Sequence, residues 1–314
     1  MFEKIIDLIK KYPKIIIHRH EKPDGDAMGS QIGLMHIIKD TWPEKTVLVV
    51  GDTSLRYAFI ANREMDVISD EEYKGALAIV LDTSATALIS DKRYPMADAT
   101  ARLDHHIFVE KICDEEITDT SYESCCGLIT EMAMEAGLVV SEDAARALYT
   151  GMVTDSGRFH YDSTTANTHK LASFLMERRF STSDIYNVLY ADELKNVQMR
   201  ARFALRIQVT DNKVGYIYTT AEEVKEYGAD PFYLSRGMVN VMGDIKGIDS
   251  WVNFTECDGA VLCEIRSKVY NINPIAVKYG GGGHKKASGA TLKSREEAMM
   301  LLADLNSLTE ADAQ

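Results

Sequence analysis

The stretch KIIIHRHEKPDGDAMGSQ (14–31) decides the reading of this chain. Lys14 to His18 form a continuous apolar run ending on a histidine, as expected of a strand buried on both faces of a parallel sheet. From Ala27 to Asp40 the pattern AMGSQIGLMHIIKD reads as a helix. Between strand and helix, Pro23 and Gly25 force a tight turn that can gather His20, Asp24 and Asp26. Ligands of open α/β sheets collect beyond the carboxyl ends of strands, so the turn is well placed for a site. One imidazole with carboxylates suits Mn²⁺, Mg²⁺ or a related divalent ion. An Asp-Gly turn after a strand is by itself usually only a turn, and the company it keeps along the chain decides.

That company repeats the same arrangement. TVLVV (46–50), ALAIVL (76–81) and TARL (100–103) read as further strands alternating with helical patterns, which predicts a parallel sheet with crossover helices. Asp82 closes the second of these runs, and Asp104-His105-His106 closes the third. A helix is predicted from about Glu123 to Ala136, stopping at Gly137, and another after Ser141, with Glu142 and Asp143 in its first turn. Asp155 sits where that helix meets a turn through Gly157. Each of these acids has an ordinary reading as a cap, a strand end or a turn residue. Four acidic segments at the ends of successive elements, two with histidines attached, point to one rim of the sheet. His18 lies inside the strand run and reads as a buried strand histidine. Cys125 and Cys126 fall in an apolar helical stretch and read as packing.

From Thr165 to Leu205 the chain looks helical throughout, with STSD (181–184) marking a fresh start capped by Ser181. The texture then changes. IQVT (207–210), VGYIYTT (214–220), SWVNFTE (250–256) and AVLCEIR (260–266) are strand-like, and EEVKEY (222–227) and YLSRGMVNVM (233–242) are helical. This order predicts a smaller α+β domain beginning near residue 205. The 314 residues, 46% of them hydrophobic, are enough for two packed cores. No apolar run approaches the roughly 18 residues that span a bilayer. Five cysteines without a CxxC pair suit reduced thiols in a cytoplasmic protein. The net charge of −13 argues against a long basic track for polymeric nucleic acid, but not against a short anionic substrate.

The ordered pattern His20-x-x-x-Asp24-x-Asp26, then Asp82, then Asp104-His105-His106, then Asp155, resembles the four motifs of the DHH phosphoesterases. YGGGGHKKASG (279–289) resembles the glycine-rich signature of the DHH-associated domain, and together the two likenesses cover nearly the whole chain. HRHEKPDGDAMGSQ (18–31), GMVTDSGRF (151–159) and EIRSK (264–268) further resemble the subgroup with both nanoRNase (oligoribonuclease) and 3′-phosphoadenosine 5′-phosphate phosphatase activities.

The resemblance implies an α/β catalytic domain over residues 1–182, a helical connector over 183–204 and an α+β substrate-binding domain over 205–314. It implies two divalent metal ions, manganese first with magnesium or cobalt as alternatives. His20, Asp24 and Asp82 would hold one, and Asp26, Asp82, His105 and Asp155 the other. His106 would contact the scissile phosphate or donate a proton, with Asp104 orienting the histidine pair. Arg266, Ser267, Gly281, Gly282, Gly283, His284 and Ser288 would bind the nucleotide, with Arg158 a candidate contact. The implied activity is hydrolysis of very short RNA to mononucleotides and of adenosine 3′,5′-bisphosphate to AMP, with no membrane partner and a homodimer as a candidate assembly. The alternatives are a phosphodiesterase of linear or cyclic dinucleotides and a nucleotide-binding protein without catalysis. Intact ligand positions favour the enzyme.

Overall fold

β1 (Lys14–His18) follows an amphipathic helix, α1 (Glu3–Lys11), which turns Ile5, Ile6 and Ile9 inward. Then come α2 (Gly25–Thr41), β2 (Thr46–Val49), the single turn α3 (Ala58–Ala61), β3 (Ala76–Leu81), β4 (Ala99–Asp104) and β5 (Glu115–Thr118). The helices α4 (Cys125–Glu135), α5 (Glu142–Asp155), α6 (Ala166–Met176) and α7 (Thr182–Tyr190) follow. The five strands pair in parallel in the order β2-β1-β3-β4-β5. The strand order therefore reverses between β1 and β3, where the two halves of the sheet part and a crevice opens at the carboxyl ends.

One face of the sheet, with Ile15, Ile17, Leu77, Ile79 and Leu103, shares a single core with residues of α1, α2, α4 and α5. The opposite face, with Ile16, Ala78 and Val80, is covered by Tyr73, Ile89, Tyr94 and Cys113 from short 3₁₀ turns and loops. α2 is buried along most of its length, from Gly25 to Ile38. It meets α5 through a glycine at every fourth position. A Cβ on Gly29 would come within 2.6 Å of the Ala147 carbonyl, and one on Gly151 within 2.3 Å of the Cys126 Sγ. Only hydrogen at these positions lets α2, α4 and α5 approach so closely.

The computed structural model describes residues 1–308 and Asp312. It separates a first unit, Met1–Leu189, from a second beginning at Tyr190. The segment expected to be helical from Thr165 to Leu205, with a fresh start at Ser181, is three helices: α6, α7 and α8 (Leu194–Ala204). Arg179 adopts a left-handed φ of 63° and ends the first run, and Ser181 Oγ accepts the Asp184 N–H at the next start. The expected connector is shared between the units. α7 buries Ile185 in the first core, and α8 buries Phe203 in a core of the second.

The second unit continues with β6 (Gln208–Val209), β7 (Val214–Thr219), α9 (Ala221–Tyr227), β8 (Ser250–Cys257), β9 (Ala260–Ser267), α10 (Asn273–Lys278), β10 (Gly282–His284), β11 (Ala287–Leu292) and α11 (Arg295–Asn306). Its sheet runs β10-β11-β9-β8-β7-β6, antiparallel except between β7 and β8. α10 and α11 pack on one face against Val252, Phe254, Ile265 and Leu292. On the other face Leu234, Met238 and Met242 cover Ile217 and Trp251. The stretch 233–242, expected as one helix, is a π turn (Tyr233–Gly237) followed by a 3₁₀ turn (Val239–Met242). Among the described residues no helix is long and apolar enough to cross a membrane.

Candidate metal centre

The acids and histidines picked out along the first unit converge at the carboxyl ends of β1, β3 and β4. Asp24 caps α2, its Oδ1 accepting the backbone N–H of Asp26 and Ala27 at 3.0 Å each. Asp26, the second residue of the helix, is buried. Its two oxygens accept the N–H groups of Cys125 (2.7 Å) and Cys126 (2.9 Å) at the start of α4, where the helix dipole favours an anion. Asp82 follows β3 in a left-handed conformation (φ 50°) that a non-glycine residue adopts at a cost. It is buried, and its Oδ1 has no hydrogen-bond partner. Asp155 is the last residue of α5.

The histidines are held so that one nitrogen of each is free for the acids. His20 Nδ1 lies 2.7 Å from the Glu21 carbonyl and His105 Nδ1 3.4 Å from that of Tyr122. A proton on each Nδ1 leaves the Nε2 lone pair for another partner. His20 Nε2 lies 3.8 Å from Asp24 and 3.5 Å from Asp82. His105 Nε2 lies 3.7 Å from Asp26, 3.5 Å from Asp82 and 3.4 Å from Asp155. These Nε2 separations are longer than the about 2.7–3.2 Å of a well-formed hydrogen bond. They are close to the spacing of two donors on one ion, since ligands about 2.1 Å from a metal at 90–110° lie about 3.0–3.4 Å apart. Three donor groups result among the described residues, His20–Asp24–Asp82, Asp26–His105–Asp155 and Asp82–His105–His106, and Asp82 links the first two through its contacts with His20 and His105. The buried Asp82 oxygen without a partner and the excess of acids over histidines fit divalent cations.

The protonation energetics carry the same message. Burial works against the imidazolium of His20, but the Asp24 and Asp82 carboxylates outweigh it and lift the pKa to about 11. His105 is likewise opposed by burial and lifted by Asp82 and Asp26 to about 10. Burial, with the nearby charge of Asp82, pushes Asp26 well above the usual carboxylate range. Burial and the charges of Asp82 and Asp24, against the pull of His105, push Asp155 to about 6. Asp82 is driven below its ordinary value, its burial outweighed by His105 and His20. The cluster draws in positive charge wherever it can find it.

His106 differs from its neighbour. Its Nδ1 lies 2.8 Å from Asp104 Oδ1, which raises its pKa, and its ring lines an open pocket of about 370 Å³ with His20, Asp24, Asp82, Ser84 and Leu88. Asp104 is fully buried beneath it. His18 is buried in β1 beside Tyr73, and burial holds its pKa down at about 4, so it stands apart from the acids.

A second layer went unread in the sequence. Arg19, fully buried, donates to Gln31 (3.0 Å), the His20 carbonyl (3.1 Å) and Asp52 Oδ1 (3.2 Å). Asp52 in turn accepts from the Lys22 N–H at 2.9 Å, where Lys22 has a φ of 51°. This network fixes the turn that carries His20 and Asp24. An arginine directly after an apolar strand run is its only sequence trace.

In the second unit, Arg266 Nη1 donates to Glu264 (3.0 Å) and to the Ile265 carbonyl (2.8 Å). Gly281 has no room for a side chain, since a Cβ would meet the Gly289 carbonyl at 2.1 Å. Gly282, Gly283 and the exposed His284 form the edge strand β10. The hydroxyls of Ser267 and Ser288 are engaged internally. Ser267 donates to the Asp249 carbonyl at 3.0 Å, and Ser288 donates to that of His284 at 2.8 Å, so both lock turns. Arg158, left-handed at φ 64°, donates its backbone N–H to the Val153 carbonyl at the end of α5.

Known proteins match this architecture along its length. The DHH family, N-terminal domain, matches residues 14–152, and the DHHA1 domain matches residues 213–311. The chain is 36% identical to the bifunctional oligoribonuclease and PAP phosphatase NrnA of Bacillus subtilis, covering 98% of each chain. It is 35% identical to a probable protein of the same name from Streptococcus mutans, again covering 98% of each. The crystal structure of an exopolyphosphatase-related protein from Bacteroides fragilis superposes with a TM-score of 0.79 at 24% identity, covering 97% of this chain and 95% of that one, and shares the fold.

Proposed function

The chain belongs to the DHH family, and on that premise we propose that it is a two-metal phosphoesterase. Its substrates in this reading are very short RNA, cut to mononucleotides, and adenosine 3′,5′-bisphosphate, dephosphorylated to AMP. The observation that carries the reading is Asp82, buried, left-handed and in contact with His20 and His105. The names of the relatives supply the substrates.

His20, Asp24 and Asp82 would hold one ion, and Asp26, Asp82, His105 and Asp155 the other. Bound divalent ions supply Lewis-acid charge for the phosphoryl oxygens and activate water for attack. Manganese suits the mixed imidazole and carboxylate donors, with magnesium or cobalt as alternatives. The protein's own contribution is largely positioning and electrostatics. Asp104 holds His106 by Nδ1 and raises its pKa, which favours the protonated ring that a proton donor to the leaving oxygen would need. Cys125 and Cys126 take no part as nucleophiles, because burial raises both thiols well above their ordinary pKa.

One substrate panel tests the reading. Phosphate release from adenosine 3′,5′-bisphosphate and mononucleotide release from di- to pentanucleotides are followed with Mn²⁺, Mg²⁺ and Co²⁺ side by side. Turnover of both substrates, fastest with Mn²⁺, is expected. A folded, metal-loaded protein that turns over neither is a binding protein, and the enzymatic reading falls. Faster turnover of cyclic dinucleotides than of linear ones would replace the substrate assignment.

A further inference from the structure

We propose that Arg102 is a positioning residue for this reaction, fixing the place of His106 relative to Asp82 from beneath the loop that His106 begins. The inference rests on the phosphoesterase reading above and names a residue that serves it without touching substrate.

β4 turns Ala101 and Leu103 toward the helices, so Thr100, Arg102 and Asp104 lie on the other face of the sheet. The neighbouring strand fills that face with Ala78 and Val80. Arg102 pairs with Val80 on one side and Glu116 on the other, a charged side chain fully buried on a largely apolar face. Its partners are few. Nη2 lies 3.4 Å from Glu116 Oε2 and Nη1 lies 3.5 Å from the Thr83 carbonyl, while Nε has no hydrogen-bond partner. The guanidinium carbon lies 5.6 Å from the centroid of the Phe108 ring, within reach of a cation–π attraction. Contacts this long add little stability over an apolar side chain of similar size in the same place. What they share is location, since each partner belongs to a segment that carries the site.

Thr83 directly follows Asp82, and its hydroxyl closes the turn by donating to the Leu81 carbonyl at 2.7 Å. Glu116 accepts the N–H groups of Ile112 and Cys113 (2.8 Å) on its other oxygen, which pins the far end of the loop. Phe108 lies in its middle. At the near end Asp104 holds His106, whose Nδ1 lies 3.6 Å from Asp82 Oδ1. Ile107, Phe108 and Val109 are exposed, so burial of apolar side chains does not hold this segment down. Polar anchors do. Glu110 Oε1 accepts the Thr86 N–H at 2.7 Å, and Arg102 reaches from the Asp82 turn to both the middle and the far end of the loop. A guanidinium suits this task, because its planar fork donates in divergent directions from one fixed centre. A lysine in its place would reach one partner at a time.

The test is a double-mutant cycle on phosphate release from adenosine 3′,5′-bisphosphate at saturating Mn²⁺. Arg102→Met should lower kcat about 10–100-fold with KM within about twofold, since misplacing a proton donor by about 1 Å forfeits much of its contribution. The same substitution in a His106→Ala background should change kcat by less than about twofold, because the group it positions is gone. Arg102→Lys should recover part of the loss. A native kcat in Arg102→Met, or an equal loss with and without His106, overturns the proposal. Where Arg102→Met does not fold, Arg102→Met/Glu116→Gln replaces the ion pair as a unit, keeps an acceptor for Ile112 and Cys113, and enters the cycle with the same expectations. Hydrogen exchange adds a readout independent of turnover: the amides of residues 106–113 should exchange faster in Arg102→Met while those of α2 and α4 do not change. A native protein that turns over nothing removes the phosphoesterase reading. Exchange over 106–113 that responds to Arg102 then leaves the anchor standing, and exchange that does not respond overturns it.

Discussion

Substituting Gly151 by alanine tests how the fold sets the metal centre. Gly151 lies in α5 against α2 and α4, and a Cβ there would sit 2.3 Å from Cys126 Sγ and 3.1 Å from Asp26 Cα. Non-bonded heavy atoms rest at about 3.5–4.0 Å, so the first contact is short by more than about 1 Å. Cys126 is fully buried in a close-packed core, so relieving the contact is expected to push α5 away. Overpacking of this kind costs about 1–3 kcal/mol, which in a unit of this size lowers the melting temperature by roughly 2–4 °C per kcal/mol. Asp155 lies four residues further along α5, about 6 Å on. It moves with the helix relative to His105, whose Nε2 is now 3.4 Å from it. Metal–ligand distances tolerate only about 0.2 Å, so Mn²⁺ affinity should fall about 10–100-fold while the protein stays folded. Calorimetric Mn²⁺ titration and thermal melting of Gly151→Ala read both effects. Adding Cys126→Ala removes the clashing sulfur and should recover much of the lost affinity. Unchanged Mn²⁺ affinity in Gly151→Ala, or a double variant no better than the single, would refute the view that this glycine contact holds Asp155 in place.

Three further outcomes are expected. Asp82→Ala removes the side chain that touches both His20 and His105 and should lower turnover at least about 10²–10³-fold with the circular dichroism spectrum retained; a near-native rate would falsify the site assignment. Asp52→Ala leaves the buried Arg19 without its half-exposed carboxylate and should destabilise the first unit by about 1–3 kcal/mol in urea unfolding, with weaker metal binding because the His20 turn loses its anchor. Saturating Mn²⁺ should stabilise the first unit against unfolding by about 2.7 kcal/mol at a hundredfold excess over the dissociation constant, reversibly with chelator; a melting temperature indifferent to both would show that the four acids gather without an ion.

Much of the donor set could be read from the chain because each acid or histidine follows an apolar run whose length and continuity mark an element end. Asp82 after ALAIVL and Asp104 after the TARL run are cases in which local pattern sufficed. β5 escaped notice because EEIT, at the edge of the sheet, is half-exposed throughout and has no apolar run. The resemblance assigned the glycine run to nucleotide binding, yet half of its meaning is structural: Gly281 is crowded by Gly289 and Gly283 by Ala287 and Ser288, whereas Gly280 and Gly282 open onto empty space.

The sequence by itself determined the parallel α/β architecture of the first half, the order of the metal motifs and the chemical type of each donor, since these depend on residue identity and local spacing. Tertiary structure decided what those donors touch. The N–H groups that hold Asp26 belong to Cys125 and Cys126, about a hundred residues away, and Arg19 is tied to Asp52 across a strand crossover. Strand register, set by pairing between distant segments, put Glu264, Arg266 and His284 on one face and turned Ser267 and Ser288 away from it. Spacing along a chain fixes which groups are available; only the packing of non-local elements, where a single methyl group can move a helix by an ångström, fixes the distances on which coordination depends.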